Sequence, residues 1–249
     1  MKNSFFNKPI GNVYLKPSLK SELSSQILYG EKFKILSKNK GWIKIKTDFD
    51  KYSGFIRNGI FINSLKPTHK VFLKKSIIYK RIKLNCIKTK KNLYFSSTIQ
   101  NLEYKNGYIR FDRNKWIKKN SVKKINHFEK NYKKIVKFFL NTKYLWGGKS
   151  VDGIDCSALI QLYFKYNQKF FPRDTKDQIR YCKKISKNLW AGNIIFWKGH
   201  VGLCLDKKKI IHAYGPKKKV LIMNTKKTIN LILKTAKLKV KKISNIKKY

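Results

Sequence analysis

A chain of 249 residues with 42% hydrophobic and 14% aromatic content has ample material to bury, which excludes a disordered polypeptide and predicts two or three compact units. Sixty Lys and Arg against twelve Asp and Glu leave a formal charge of +48, a field that attracts polyanions of every kind. The basic residues are spread along the whole chain rather than gathered in one stripe, so the expectation is compositional drift and no specific nucleic-acid partner.

The N-terminal stretch mixes Phe5, Phe6 and Ile10 with Lys2, Lys8, Lys16 and Lys20, without the continuous apolar core of an export signal. No apolar run is long enough to span a bilayer, so no membrane insertion and a cytoplasmic location are expected. Cys86, Cys156, Cys182 and Cys204 are scattered and lack CxxC spacing. They form neither a zinc site nor a disulfide framework, and no metal or cofactor is expected.

In chain order, the first half reads as all-β. Lys32 to Leu36, Trp42 to Lys46 and Gly54 to Arg57 alternate apolar and polar positions around a turn at Asn39-Lys40-Gly41. They predict a small barrel over residues 1–66. Strands at Val71 to Leu73, Ile77 to Tyr79, Tyr108 to Phe111 and Lys115 to Ile117, with a hairpin turn at Asn106-Gly107, predict a second barrel over 67–125. The two Asn-containing turns hint at a diverged repeat.

From residue 126 the pattern changes. Phe128, Tyr132, Ile135, Val136, Phe139 and Leu140 recur at helical spacing. A second helix is expected from Cys156 to Tyr166, with Asp155 capping its start, and a short one after Pro172-Arg173-Asp174-Thr175. Strands at Asn193 to Trp197, His200 to Leu205, Ile210 to Ala213 and Val220 to Met223 complete an α+β domain over 126–249.

A cysteine attacks a carbonyl as thiolate, and both a helix N-terminus and a neighbouring imidazolium lower its pKa. Cys156 is placed on the first turn of a helix. His200 and His212 fall at the ends of neighbouring strands, where one takes the thiol proton and the other orients it. Spacing alone leaves a plainer reading equally open. A lone helical Cys is usually a small buried hydrophobe, and a His at a strand end is often a solvated edge residue.

Six ordered blocks tip that balance: Tyr144-Leu-Trp-Gly-Gly-Lys-Ser150, Asp152-Gly-Ile-Asp-Cys-Ser-Ala158, Pro172-Arg-Asp-Thr175 with Gln178, Gly192-Asn-Ile-Ile-Phe-Trp197, Gly199-His-Val-Gly202 and Ile211-His-Ala213. Together they resemble the NlpC/P60 peptidases. The resemblance implies a papain-like catalytic domain preceded by two small SH3-like barrels, with Cys156 as nucleophile, His200 as base and His212 orienting it. Tyr144, Asp155, Ser157, Asp174 and Thr175 would line the substrate. Upstream, Tyr29-Gly30-Glu31, Tyr52-Ser53-Gly54-Phe55 and Thr68-His69-Lys70-Val71 are similar to the subgroup that cleaves γ-D-glutamyl-diamino acid bonds in recycled muropeptides. That likeness implies Glu31 and Tyr52 as further substrate contacts around a free N-terminal L-Ala, and Asp174 as partner of its ammonium. The expected partner is thus a muropeptide substrate, while the oligomeric state is left open. The family pattern is broken at Ala158, usually Gly, and at Asn193, usually Asp, where a weakened turn is expected. Two alternatives remain at this stage: a related amidase or endopeptidase acting on intact wall, and a basic wall- or polyanion-binding protein with an inert peptidase-like domain.

Overall fold

The structure, a computed structural model, describes residues 3–83, 85–185 and 190–249. The chain divides into two compact units, Met1–Phe128 and Glu129–Tyr249.

The first unit holds two sheet systems. The first comprises β1 (Asn3–Phe5), β2 (Ile10–Tyr14), β3 (Leu23–Leu28), β4 (Lys32–Asn39), β5 (Trp42–Thr47) and β6 (Ser53–Arg57), in the antiparallel order β1-β4-β5-β6-β2-β3. Alternation decides the faces: Ile43 and Ile45 of β5 are buried with Val13, Ile27, Phe33 and Ile56, while Lys44 and Lys46 face outward. The β4–β5 loop is Lys40-Gly41, both at positive φ (41° and 79°), the geometry that matches the twist of a two-residue hairpin.

The second system comprises β7 (His69–Val71), β8 (Lys75–Ile82), β9 (Asn85–Tyr94), β10 (Thr98–Ile99), β11 (Glu103–Lys105), β12 (Tyr108–Asp112), β13 (Lys115–Lys118) and β14 (Val122–Lys124). They form sheets ordered β10-β7-β14 and β11-β12-β13-β8-β9. Asn106 and Gly107 repeat the positive-φ pair of the first hairpin (49° and 79°). The strand expected at Val71 to Leu73 lies two residues earlier, because His69 and Lys70 pair with Ile99 and Thr98, and His69 to Val71 with Lys124 to Val122, while Leu73 is exposed. The longest strand, β9, was not anticipated: its lysines interrupt the apolar signal, and it is held by the register of β8.

Tyr29 ties the two systems together. It follows β3 directly yet is buried among Val71, Ile78, Leu93, Ile99, Phe111 and Ile117, with its ring edge-on to Phe111 at 5.2 Å. The next residue, Gly30, has φ +77° and would place a Cβ 2.0 Å from the Thr98 carbonyl oxygen, so only glycine fits. Thr98 seals the contact, its N–H donating to the Tyr29 carbonyl and its hydroxyl to that of Gly30.

In the second unit, α1 (Tyr132–Lys137), β15 (Lys149–Ser150), β16 (Gly153–Ile154), α2 (Cys156–Tyr166) and α3 (Thr175–Tyr181) precede a sheet of β17 (Asn193–Trp197), β18 (His200–Cys204), β19 (Lys209–Tyr214), β20 (Lys219–Asn224) and β21 (Lys242–Asn245), with α4 (Thr225–Ala236) before the last strand. The order is β20-β19-β18-β17-β21, antiparallel throughout. α2 is buried along its whole length against β18 and β19. α1 is shorter than the periodicity predicts: Asn131 caps it and turns end it, leaving Phe128 and Leu140 exposed. α4 and β21 escaped the sequence reading because lysines and threonines dilute their apolar positions. α4 starts at an Asn224 cap and buries Ile232. The side-chain oxygen of Asn193 accepts a hydrogen bond from the Asn245 carboxamide at 2.9 Å, which joins β17 to β21 beyond their backbone pairing.

Candidate active site

α2 begins at Cys156 because Asp155, in extended conformation, receives the Ala158 N–H at 2.8 Å. The same carboxylate accepts from the Gly147 N–H at 3.0 Å and the Ser157 hydroxyl at 3.0 Å. Arg173 closes the cluster with a two-armed bond, 3.1 and 2.6 Å to the two carboxylate oxygens, and a further 2.9 Å bond to the Ser157 oxygen. The Arg173 and Asp155 side chains are only 1% and 9% exposed. Asp155 and Ser157, expected along the substrate, thus turn their polar atoms onto this internal cluster. Arg173 was quoted within a motif at the sequence level but given no role. Its charge beside a scarce acidic residue was the available signal.

The Cys156 sulfur accepts a backbone hydrogen bond from Val201 and lies 4.0 Å from the Thr175 hydroxyl. Burial pushes the thiol up to about 11, and the Asp155 charge adds to this. The Val201 amide, Thr175 and Arg173 pull the other way. In the free protein, burial favours the protonated thiol, the opposite direction to the lowering expected at a helix start.

Val201 is next in the chain to His200, so the amide that holds the sulfur also anchors the start of β18. Trp197 pairs with His200 across the two-residue loop Lys198-Gly199, and Gly199 takes φ +73°. Gly202, on the same face of β18 as His200, would meet Ile210 at 2.6 Å and His212 at 3.4 Å if it carried a Cβ. Its missing side chain lets β19 bring His212 alongside. Nε2 of His200 lies 2.9 Å from Nδ1 of His212, so the two histidines do meet. Tyr214 stacks on the His212 ring at 4.8 Å, and the Trp197 ring lies 5.5 Å from that of His200. Burial holds His200 down at about 4, while burial and the neighbouring His200 hold His212 at about 3. Both imidazoles are neutral at pH 7, and His200 is available to take a proton.

A cleft of about 540 Å³ opens beside His200, lined by Tyr144, Tyr214, Pro216 and, from α4 and beyond it, Leu231 and Leu238. The Tyr144 hydroxyl is pushed up by burial and by the proximity of Cys156 and Asp155, which keeps it protonated as a donor. Asp174 occupies the N-cap position of α3 without making a side-chain cap bond. Burial raises its pKa against the opposing pull of Arg173. In the other unit, Glu31 is buried and accepts the Leu28 N–H at 2.9 Å, and the Tyr52 hydroxyl donates to the Ser24 carbonyl at 3.3 Å.

Comparison with known proteins agrees with this architecture. Residues 141–232 match the model of the NlpC/P60 family, and residues 13–59 that of the bacterial dipeptidyl-peptidase SH3 domain. The chain is 25% identical over 230 residues to dipeptidyl-peptidase 6 of Lysinibacillus sphaericus, covering 82% of this chain and 84% of the relative. It is 25% identical over 239 residues to the γ-D-glutamyl-L-lysine dipeptidyl-peptidase of Bacillus subtilis, covering 83% and 77%. In fold it is similar to the crystal structure of an NlpC/P60 family protein from Bacillus cereus, with TM-score 0.76 at 18% identity over 90% of this chain and 94% of that one. Joined to a buried cysteine and a histidine pair at the six motif blocks, these matches establish that the chain carries an NlpC/P60 peptidase domain together with a bacterial dipeptidyl-peptidase SH3 domain.

Proposed function

We propose that this protein is a cysteine peptidase that hydrolyses the γ-D-glutamyl bond to a diamino acid in short peptides of peptidoglycan origin bearing a free N-terminal L-Ala. The observation that carries the reading is the Cys156 sulfur at the head of α2, held by the amide next to His200, whose ring is bonded to His212. The name of the Bacillus subtilis relative, a γ-D-glutamyl-L-lysine dipeptidyl-peptidase, supports the substrate class, and that of the Lysinibacillus sphaericus relative the peptidase activity.

The thiol proton of Cys156 passes to His200 as the sulfur attacks the γ-carbonyl carbon. The oxyanion that forms faces the backbone N–H of Cys156 and the Tyr144 hydroxyl. His200, now an imidazolium, gives its proton to the departing amine of the diamino acid, leaving a thioester on Cys156. A water molecule deprotonated by His200 then attacks the thioester, releasing the L-Ala-γ-D-Glu dipeptide and restoring the thiol. Asp174, whose carboxylate makes no cap bond, pairs with the substrate ammonium, and Thr175 borders the sulfur. A cytoplasmic site of action belongs to the same reading, and four free thiols suit a reducing compartment.

Incubation with L-Ala-γ-D-Glu-L-Lys is the test. The wild type is expected to release the dipeptide and lysine, Cys156→Ala neither, and an N-acetylated substrate is expected to resist both. Equal turnover by the two proteins excludes the assignment.

A further inference from the structure

The chain contains two methionines, Met1 and Met223, and the second lies against the catalytic histidine pair. Met223 sits on β20 in register with Ile210, while His212 pairs with Leu221. Met223 is therefore the diagonal neighbour of His212 on the same face of the sheet, within reach of a long side chain. Its sulfur lies 3.4 Å from Nε2 of His212.

That contact constrains where protons sit. His212 is fully buried, and its polar contacts are His200 at Nδ1 and Met223 at Nε2. A neutral imidazole has one N–H and one lone pair, whereas a thioether sulfur has no proton to give. Placing the lone pair on Nε2 would set it against the sulfur lone pairs and orphan a buried acceptor. With the proton on Nε2, the N–H donates to sulfur and Nδ1 becomes an acceptor. The 2.9 Å bond then requires His200 to donate from its own Nε2. The remaining lone pair of His200 is on Nδ1, the nitrogen left to receive the thiol proton.

We propose that Met223 is a positioning residue that fixes the tautomers of both histidines, acting through His212 to keep His200 in its Nε2–H form. The chain of donors runs from His200 through His212 to a sulfur and ends there. When His200 becomes an imidazolium, its Nε2–H bond to His212 is retained and no proton moves further along the chain. The inference takes its catalytic meaning from the peptidase reading, but the tautomers themselves are read without substrate.

The experiment is ¹⁵N NMR of histidine-labelled full-length protein, with His69→Gln and His127→Gln variants to set the signals of the His200–His212 pair apart from the other two. Wild-type His200 and His212 are both expected as Nε2–H. An Nδ1–H form of either member of the pair overturns the proposal whatever the protein does to the tripeptide. Met223→Leu keeps the volume but removes the acceptor. It is expected to show a mixture of tautomers and to lower kcat about tenfold with KM unchanged. Met223→Gln, whose carboxamide oxygen accepts a hydrogen bond, is expected to restore the Nε2–H forms and most of kcat. Unmixed tautomers and full kcat in Met223→Leu overturn the proposal. Should the leucine variant fail to fold, the wild-type spectrum alone decides.

Discussion

Arg173→Met asks how far the placement of Cys156 at the head of α2 depends on a neighbouring buried side chain. The substitution deletes two charged hydrogen bonds to Asp155 and one to Ser157, and strands a carboxylate in a pair whose partners are 1% and 9% exposed. Breaking a buried ion pair from one side costs about 3–5 kcal/mol. Asp155 retains the Gly147 and Ala158 amides and the Ser157 hydroxyl, which places the cost near the lower end, about 3 kcal/mol. Because Asp155 caps α2, the loss falls on that helix first, and native-state hydrogen exchange of α2 amides reads it locally. Exchange is expected to accelerate about a hundredfold, the factor that roughly 3 kcal/mol produces. Asp155→Asn in the same chain removes the stranded charge and is expected to recover part of the loss, giving a coupling of about 2 kcal/mol in the double-mutant cycle. Acceleration below about tenfold, or a double variant no better protected than Arg173→Met alone, refutes the reasoning.

Two further expectations concern the chemistry. Asp174→Asn removes the carboxylate assigned to the substrate ammonium and is expected to raise KM at least about tenfold with kcat little changed; an unaltered KM removes Asp174 from the binding site. The pH profile of kcat/KM follows from the burial of both reacting groups. His200 must be unprotonated, so activity is expected to rise through an acid limb near pH 4, well below the ordinary histidine range. The thiol, held near 11, keeps its proton through neutrality, so the plateau extends into alkaline pH. An alkaline limb near neutrality, with iodoacetamide alkylating Cys156 far faster than Cys86 at pH 7, marks a resting thiolate–imidazolium pair instead.

Where a single element decides local structure, the sequence was sufficient. Asp155 before a largely apolar segment marked α2 to the residue, and the Gly-containing turns marked the hairpins at Lys40-Gly41 and Asn106-Gly107. The meeting of His200 and His212 was legible because antiparallel neighbours bring strand ends together. What resisted reading depended on distant parts of the chain. The role of Arg173 requires knowing that the loop before α3 folds back under α2. Met223 looks like one more apolar residue of a strand until the register of β19 and β20 places it diagonal to His212. β9 and α4 carry too many lysines for their apolar positions to stand out, and each is held by a neighbour rather than by its own pattern. The surroundings of the thiol are half legible for a related reason: a helix terminus is visible in sequence, but the depth at which the sulfur is buried is not.

Tyr29 gives the first unit an unusual indivisibility. A break near Pro67, the natural place to part the two barrels, would withdraw an aromatic ring from the middle of the downstream core and leave the upstream fragment with that ring bared to water. Each half keeps a cluster of its own, yet a cut between them is expected to cost the packing that Tyr29 provides. A boundary drawn there for a shortened chain therefore falls through shared packing rather than through an idle linker.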